Sequence, residues 1–439
     1  MDIAEKVRKR KIDELERGKV SPGGRLNDFG RSLTNFRKIF TERLGRICGI
    51  VYILGEQSKE ILMITRFSIK NFKNFENEFV FDFSQTKQYE FSLDCVREGV
   101  VKFGLVYGPN SVGKSNLGQA MFDLVQTVTD KGRNPALYDS YQNARHSGEP
   151  VRFCFDFRFG ENTARYEYCK TGYEDVLSEN FYVNGRRVVE RNRDSFSSNL
   201  KGTETLTSRS LNPKISAMRF IRANSVLEKD AQNEAVESFF RFADGMLMFS
   251  CLRENVYQGF RIGNLSVDSE IISRGKVKDL EHFLNDVDVP CRLTTHEING
   301  QNKLYLDFGG ENKDIDFWKN ASTGTQSLVH FYFWFMQMQE KSAPIPSFIF
   351  WDEFDAYFHE KTARKVISML MKVDCQAILT THDSNLLTNE LMRPDCAFNM
   401  RYGYEKKDGF VQEPLSSKTS KELRLAHNIP KMFRAGAFD

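Results

Sequence analysis

The stretch that most constrains the fold is Gly108–Ser115, which reads Gly-Pro-Asn-Ser-Val-Gly-Lys-Ser. An apolar, β-branched run over 100–107 precedes it, and apolar residues at helical spacing follow it. A strand, a glycine loop and a helix in this order let backbone N–H groups and a helix N-terminus converge on phosphate oxygens. A lysine and a hydroxyl at the end of such a loop reach the β- and γ-phosphates and magnesium. We therefore expect the chain to bind a nucleoside triphosphate together with Mg²⁺.

The residues expected to bind the nucleotide here are Gly108, Pro109, Asn110, Ser111, Val112, Gly113, Lys114, Ser115 and Asn116. Ser115 is also an expected magnesium ligand.

Composition indicates a folded protein of a reducing compartment. The chain has 439 residues, of which 40% are hydrophobic, so a sizeable core is available. No apolar run reaches membrane-spanning length, and the charged N-terminus does not read as a secretory signal. The eight cysteines contain no Cys-x-x-Cys pair, which favours a reduced, cytoplasmic protein over a disulfide framework or zinc ribbon. A net charge of +3 permits contact with nucleic acid without implying it.

Three further segments follow the glycine loop in an order that suits triphosphate chemistry. Ser322–Gln326 opens an apolar helix, although such a turn alone is more typical of an ordinary cap. The strand Phe348–Glu353 ends in two carboxylates, the first expected to hold magnesium and the second to polarise the attacking water. A strand from Gln376 ends at His382, which can donate to a γ-phosphate oxygen.

This ordered set resembles the ABC-type ATPases of the AAA family, within their SMC-like and OLD-like branch. The matching segments are Gly108–Ser115 (Walker A), Ser322–Gln326 (signature), Phe348–Glu353 (Walker B), Asp355 (D-loop) and His382 (switch). The signature is closer to the Ser-x-Gly-Thr form of OLD-like ATPases than to the transporter form. The spacing between Lys114 and Ser322 is long for a transporter cassette and far too short for an SMC arm. The stretch Lys70–Phe75, at the end of the first predicted strand, also resembles the first strand of this branch, and Gln142 is a weak candidate for the Q-loop glutamine.

The resemblance implies an α/β fold, a P-loop NTPase of ABC type. Its mixed sheet would carry an antiparallel β-subdomain and a helical insertion lobe that bears the signature turn. It further implies ATP hydrolysis between two copies of the chain, in an ATP-dependent homodimer or higher oligomer. The implied catalytic residues are Lys114, Glu353 and His382; Ser322, Gly324 and Asp355 would contact nucleotide, and Ser115 and Asp352 would hold magnesium.

Four segments are expected along the chain. Residues 1–62, with a helix over 35–46, form an N-terminal extension that either contacts a partner or precedes a true start at Met63. Residues 63–200 form the first half of the ATPase lobe, 201–340 a mostly helical insertion with the signature, and 341–439 the second half. Strands are expected over 64–72 and 78–83, which would pair as a hairpin, and over 151–159, 165–169, 180–189, with a turn at Asn184–Gly185, and 304–308. Helices are expected over 233–248 and 277–284.

Single-chain ATPases of this kind resemble the ATPase subunits of two-component bacterial anti-phage and abortive-infection systems, such as PARIS. Few residues follow His382, and they contain no paired carboxylates typical of a Toprim nuclease. A separately encoded effector or toxin, triggered by DNA or a phage product, is therefore expected, with no membrane partner. The alternative is an SMC-like DNA-repair or chromosome-maintenance clamp on duplex DNA. Its basic stripe would comprise Arg186, Arg187, Arg191, Arg193, Lys418, Lys421 and Arg424, although each is more often a solvated side chain.

Overall fold

Two large sheets organise the part of the chain that the computed structural model describes. The described residues are 61–131, 138–208, 211–212, 214–250, 256–260, 266–310, 313–340, 345–403, 409–419 and 423–438. The predicted extension, apart from residues 61 and 62, lies outside the described residues, as does its predicted helix over 35–46.

The first sheet is antiparallel throughout, in the order β10-β9-β8-β7-β6-β1-β2. Its strands are β1 (Leu62–Lys70), β2 (Phe79–Asp82), β6 (Val151–Phe159), β7 (Asn162–Gly172), β8 (Asp175–Val183), β9 (Arg186–Asn192) and β10 (Ser195–Ser198). Burial alternates along β6, as the two-residue period of a strand requires. The predicted β1–β2 hairpin is confirmed, and so is the turn at Asn184–Gly185, where both residues have positive φ.

The second, central sheet is mixed, in the order β12-β11-β16-β17-β5-β18-β19. Its strands are β5 (Phe103–Tyr107), β11 (Met246–Ser250), β12 (Val256–Gly259), β16 (Phe348–Asp352), β17 (Gln376–Thr381), β18 (Ala397–Tyr402) and β19 (Phe410–Pro414). The middle five strands are parallel, and the strand at each edge is antiparallel. The carboxyl ends of parallel strands meet at one edge of a sheet, which is where ligands bind in such folds. The predicted mixed α/β fold is thus confirmed.

Helices cover the sheets, and two smaller sheets complete the described structure. The helices are α1 (Lys114–Val128), α2 (Ala217–Asn224), α3 (Ala231–Asp244), α4 (Val267–Ser273), α5 (Val277–Asp286), α6 (Phe317–Asn320), α7 (Thr323–Gln339), α8 (Glu360–Leu370) and α9 (Ile429–Arg434). The small sheets comprise β3 (Val96–Arg97) with β4 (Val100–Val101), and β13 (Leu293–Ile298), β14 (Gln301–Leu306) and β15 (Ile315–Asp316). Among the described helices, none has the length and apolar character needed to cross a membrane.

The predicted helix over 233–248 is wrong at its C-terminal end. Helix α3 ends at Asp244, and after Gly245 the chain enters β11, which joins the central sheet beside β16. All five residues of β11 are buried, and an apolar run of this length cannot be assigned to helix or strand by periodicity alone. The segment 201–340, expected to be mostly helical, therefore also contributes strands to the central and small sheets.

A buried ion pair joins helix α1 to the antiparallel sheet. Asp123 of α1 lies 3.1 Å from the ammonium of Lys170 on β7, and their side chains are 0% and 1% exposed. The Asp123 carboxylate also accepts hydrogen bonds from the hydroxyls of Tyr141 (2.7 Å) and Tyr168 (3.0 Å). Burial lowers the pKa of Lys170, and the attraction of Asp123 opposes this shift. Each charge therefore depends on its partner to remain buried.

We expect Asp123→Ala to lower the free energy of unfolding by about 3–5 kcal/mol, because it leaves the Lys170 ammonium buried without a counter-charge. Urea denaturation followed by circular dichroism measures the change. Lys278→Ala is the control, since it removes an ion pair with Glu281 whose lysine is 68% exposed. Equal denaturation midpoints for the two variants would contradict the importance of the buried pair.

Candidate functional site

The loop between β5 and α1 forms an open cradle of backbone N–H groups. Ser111 and Gly113 have φ values of 68° and 100°, so the loop turns twice through the left-handed region. A side chain on Gly108 would place its Cβ 2.6 Å from the carbonyl oxygen of Met400, which explains the glycine there. Pro109 and Asn110 are exposed at the rim. Such a loop at a helix N-terminus suits a phosphate group.

The Lys114 side chain folds back into this loop. It is 4% exposed, and its ammonium donates to the carbonyl oxygens of Gly108 (2.7 Å) and Pro109 (3.2 Å). It also lies 3.1 Å from Nε2 of His382. Burial lowers the pKa of Lys114, and nearby carboxylates oppose this shift, Glu353 first among them. An ammonium held by neutral carbonyls can exchange them for phosphate oxygens, to which it bonds more strongly.

Asp352 at the end of β16 meets the start of α1. Its carboxylate is hydrogen-bonded to the hydroxyl of Ser115 and accepts a 2.9 Å bond from the hydroxyl of Thr380. Asp352 is 5% exposed, and burial raises its pKa. A hydroxyl and a buried carboxylate, both hard oxygen donors, fit Mg²⁺, and a cation would also relieve the desolvation of Asp352. The structure thus brings the two expected magnesium ligands, Ser115 and Asp352, into contact.

Glu353 leaves the strand in an unusual backbone conformation. Its φ of 48° lies in the left-handed region, which costs a non-glycine residue about 1–3 kcal/mol and is typical of functional sites. This turn separates the direction of Glu353 from that of Asp352 and brings its Oε1 to 3.0 Å from Nε2 of His382. The structure therefore brings Lys114, Glu353 and His382 together, as expected from their order in the sequence.

The signature turn and Asp355 make their contacts with other segments, the turn with Tyr357 and Asp355 with Thr381. Ser322 caps helix α7, accepting a hydrogen bond from the Thr325 N–H (3.2 Å), and is exposed. A Cβ on Gly324 would lie 2.7 Å from the carbonyl oxygen of Tyr357, so this turn packs on the segment after Glu353. Among the described residues, no hydrogen bond joins Ser322 to the phosphate loop of the same chain. The carboxylate of Asp355 instead accepts a 2.6 Å bond from the hydroxyl of Thr381.

Asn74, which the sequence analysis did not select, clamps the phosphate loop. Its amide donates to the carbonyl oxygen of Val112 (3.3 Å) and accepts from the amide of Asn116 (2.6 Å). A Cβ on Gly113 would lie 2.2 Å from Asn74 Nδ2, so the glycine also makes room for this side chain. The sequence signal was the Lys70–Phe75 stretch, which resembles the first strand of the branch. The side chain of Gln142, the weak Q-loop candidate, bonds locally to the 148–149 turn.

The described residues of the proposed basic stripe do not form one exposed, unpaired basic surface. Arg191 is 1% exposed and pairs with the carboxylate of Glu179 at 3.2 Å, so its assignment to a DNA-binding face is wrong. The physical reason is a register shift between β8 and β9, after which both Val188 and Val189 are buried. Of the other candidates, Arg187 pairs with Glu190, and Lys418 pairs with Glu413. Arg186, Arg193 and Arg424 are exposed, and Lys421 lies outside the described residues.

Comparison with known proteins agrees with this geometry. Residues 105–388, more than half of the chain, match a family described as "AAA domain, putative AbiEii toxin, Type IV TA system". The chain belongs to this AAA-domain family. The match runs from β5 to the turn after His382, so the AAA domain includes the phosphate loop, the signature turn and both carboxylates. Family membership implies nucleotide binding.

Solved structures that match this chain include two SMC heads. One is the SMC head bound to the C-winged helix domain of ScpA, with a TM-score of 0.38, 16% identity, and coverage of 81% of this chain and 98% of that one. Another is the Smc head with an extended coiled coil bound to the C-terminal domain of ScpA derived from Pyrococcus furiosus, with a TM-score of 0.39, 15% identity, and coverage of 81% and 97%. Among curated proteins, none matches the chain.

We expect Asn74→Ala to weaken ATP binding by up to roughly 30-fold. The variant loses two hydrogen bonds that hold the phosphate loop, each worth about 1 kcal/mol. Isothermal titration with a slowly hydrolysed ATP analogue measures the dissociation constant. Asn162→Ala is the matched control, because Asn162 also accepts from an asparagine amide, that of Asn184, in an exposed turn of the antiparallel sheet. Wild-type affinity in Asn74→Ala would show that the clamp is dispensable.

Proposed function

We propose that this AAA domain hydrolyses ATP to ADP and phosphate. The observation that carries the proposal is the meeting of Lys114, Asp352, Glu353 and His382 at the carboxyl edge of the central sheet. Bound at Ser115 and Asp352, Mg²⁺ would neutralise charge on the phosphates during transfer.

The protein's own residues would act in distinct ways. The loop N–H groups and the Lys114 ammonium hold the phosphates, the ammonium leaving its carbonyl partners in the loop. The Glu353 carboxylate accepts a proton from the attacking water. His382, within hydrogen-bond distance of both Glu353 and Lys114, donates to an oxygen of the transferred phosphate.

We further propose that two copies of the chain close head to tail over the nucleotide. The Ser322 turn is exposed at the start of helix α7, and its hydroxyl could exchange its bond with the Thr325 hydroxyl (2.9 Å) for one to a phosphate bound by another copy. ATP would then join the two copies, as a homodimer or within a higher oligomer, and hydrolysis would release them.

Glu353→Gln should bind ATP but hydrolyse it about 10²- to 10⁴-fold more slowly, because the amide cannot accept the proton from water. The variant should accumulate as closed, ATP-bound assemblies in native mass spectrometry. Lys114→Ala should instead lose ATP binding and remain in the nucleotide-free state. Phosphate release and nucleotide affinity are measured for both variants, and normal turnover by Glu353→Gln would remove Glu353 from this role.

We propose that the ATPase is the sensor and regulatory subunit of a bacterial anti-phage system such as PARIS. A separately encoded effector or toxin would be its partner, and DNA or a phage product its trigger. The description of the family, which refers to toxin–antitoxin systems, supports a role of this kind. The six cysteines in the described part of the chain are free thiols. Free thiols are typical of the reducing cytoplasm, where we place the protein.

The alternative, an SMC-like DNA-repair or chromosome-maintenance clamp, has weaker support. Burial of Arg191 and the pairing of Arg187 and Lys418 remove charge from the proposed stripe. A clamp would show a salt-dependent affinity for duplex DNA, since displaced counterions drive such binding.

Native mass measurement of the protein with the product of its neighbouring gene tests the regulatory role. The expected result is a discrete heteromer in wild type that ATP turnover remodels and that Glu353→Gln traps. A protein that dimerises with ATP, binds duplex DNA and ignores its neighbour would overturn the defence role and favour the clamp.

A further inference from the structure

One buried residue, Thr380, is hydrogen-bonded to three successive residues of the acidic turn at the end of β16. Thr380, near the end of β17, is 0% exposed. Its hydroxyl donates to Oδ1 of Asp352 (2.9 Å) and accepts from the N–H of Glu353 (2.7 Å). Its backbone carbonyl accepts from the N–H of Phe354 (3.2 Å). Three successive residues of the turn are therefore bonded to one residue of the neighbouring strand.

These bonds take the place of the backbone hydrogen bonds between β16 and β17 beyond the last paired residues. The parallel pairing of β16 and β17 ends at Trp351 and Leu379. Beyond that pair, Glu353 adopts its left-handed conformation, and its N–H would have no strand partner. A hydroxyl can donate one hydrogen bond and accept another, so Thr380 satisfies a carboxylate and an N–H at once.

The next residue along β17 serves a different carboxylate. The hydroxyl of Thr381 donates to Asp355 (2.6 Å) and accepts from the N–H of Asp383 (2.9 Å). Successive side chains of a strand point to opposite faces, which explains why the two adjacent hydroxyls reach separate partners. The contacts of Thr380 are thus specific to Asp352 and Glu353.

We propose that Thr380 is a positioning residue for ATP hydrolysis, whose hydroxyl orients the Asp352 carboxylate for Mg²⁺ and holds the backbone turn that aims Glu353. This inference rests on the proposed ATPase function. Outer partners of this kind fix the direction of metal ligands, and their loss commonly reduces metal affinity or activity. Among the described residues, Thr380 has no direct hydrogen bond to Lys114 or the phosphate loop, so ATP affinity measured without Mg²⁺ should not depend on its hydroxyl.

The test compares Thr380→Val, which removes the hydroxyl at nearly constant volume, with Thr380→Ser, which keeps it. We expect Thr380→Val to lower kcat by roughly 10- to 100-fold and to raise the Mg²⁺ concentration needed for half-maximal rate. The ATP dissociation constant measured without Mg²⁺ should stay close to that of wild type, and Thr380→Ser should restore most of the rate. Thr380→Ala provides a second hydroxyl-free variant in case valine prevents folding.

Thr129→Val is the matched control. Thr129 is 2% exposed, and its hydroxyl likewise donates once, to the Val125 carbonyl (2.7 Å), and accepts once, from the Lys131 N–H (3.1 Å). It lies at the C-terminal end of α1, away from the acidic turn, so kcat should be unchanged. Melting temperatures of all variants show whether the proteins are folded.

Three results would overturn the inference: wild-type kcat and Mg²⁺ dependence in the hydroxyl-free variants, no rescue by Thr380→Ser, or an equal loss of kcat in Thr129→Val. Failure of the proposed function is distinguishable, because wild type itself would then hydrolyse no ATP. In that case the positioning role of Thr380 would be overturned together with the proposed ATPase function.

Discussion

The charges buried at the carboxyl edge of the central sheet depend on one another, and the rest of the site is arranged around them. Burial lowers the pKa of Lys114 and raises that of Asp352, so each ion is disfavoured alone. The attraction between them opposes both shifts, while the neighbouring carboxylate of Glu353 favours the ammonium and disfavours Asp352. A ligand that brings anionic oxygens to the lysine and a divalent cation to Asp352 would satisfy both sides. The ligands expected from the binding chemistry are therefore also the ligands that would stabilise the buried charges at this edge.

One buried ion pair joins the helix that begins at the phosphate loop to the antiparallel sheet, and a second lies within that sheet. Asp123 ties helix α1 to β7 through Lys170, and Glu179 ties β8 both to Arg191 of β9 and to the first N–H of helix α2, that of Ala217. A buried charge that loses any of its partners is left desolvated, so neither contact can slide without a large cost. Helix α1, which begins at the phosphate loop, must therefore move together with the antiparallel sheet.

The sequence predicted the elements that short stretches of residues determine. It could not predict the features that depend on contacts between residues remote in the chain. The glycine loop and the strands ending at Asp352 and His382 were predictable because parallel strands present their carboxyl ends at one edge. The first three residues of β11 were assigned to a helix, since a short apolar run has no distinctive period. The burial of Arg191 follows from a register shift that alternation cannot reveal. Asn74 and Thr380 were missed because their partners, Val112 and Asp352, are remote in the chain and their residue types are common.

The segment from Glu353 to Phe358 links the site of one chain with the turn proposed to serve another. Two of its hydrogen bonds are local: the Ala356 N–H donates to the Glu353 carbonyl (3.1 Å), and the Phe358 N–H donates to the Asp355 carbonyl (2.9 Å). One end carries the carboxylate that faces His382, and the other places Tyr357 against Gly324. Any Cβ at residue 324 would disturb that contact, so the glycine sets how closely the signature turn approaches. If two copies close as proposed, this one compact segment would connect the Glu353 carboxylate of a chain with the signature turn that the same chain offers to its partner.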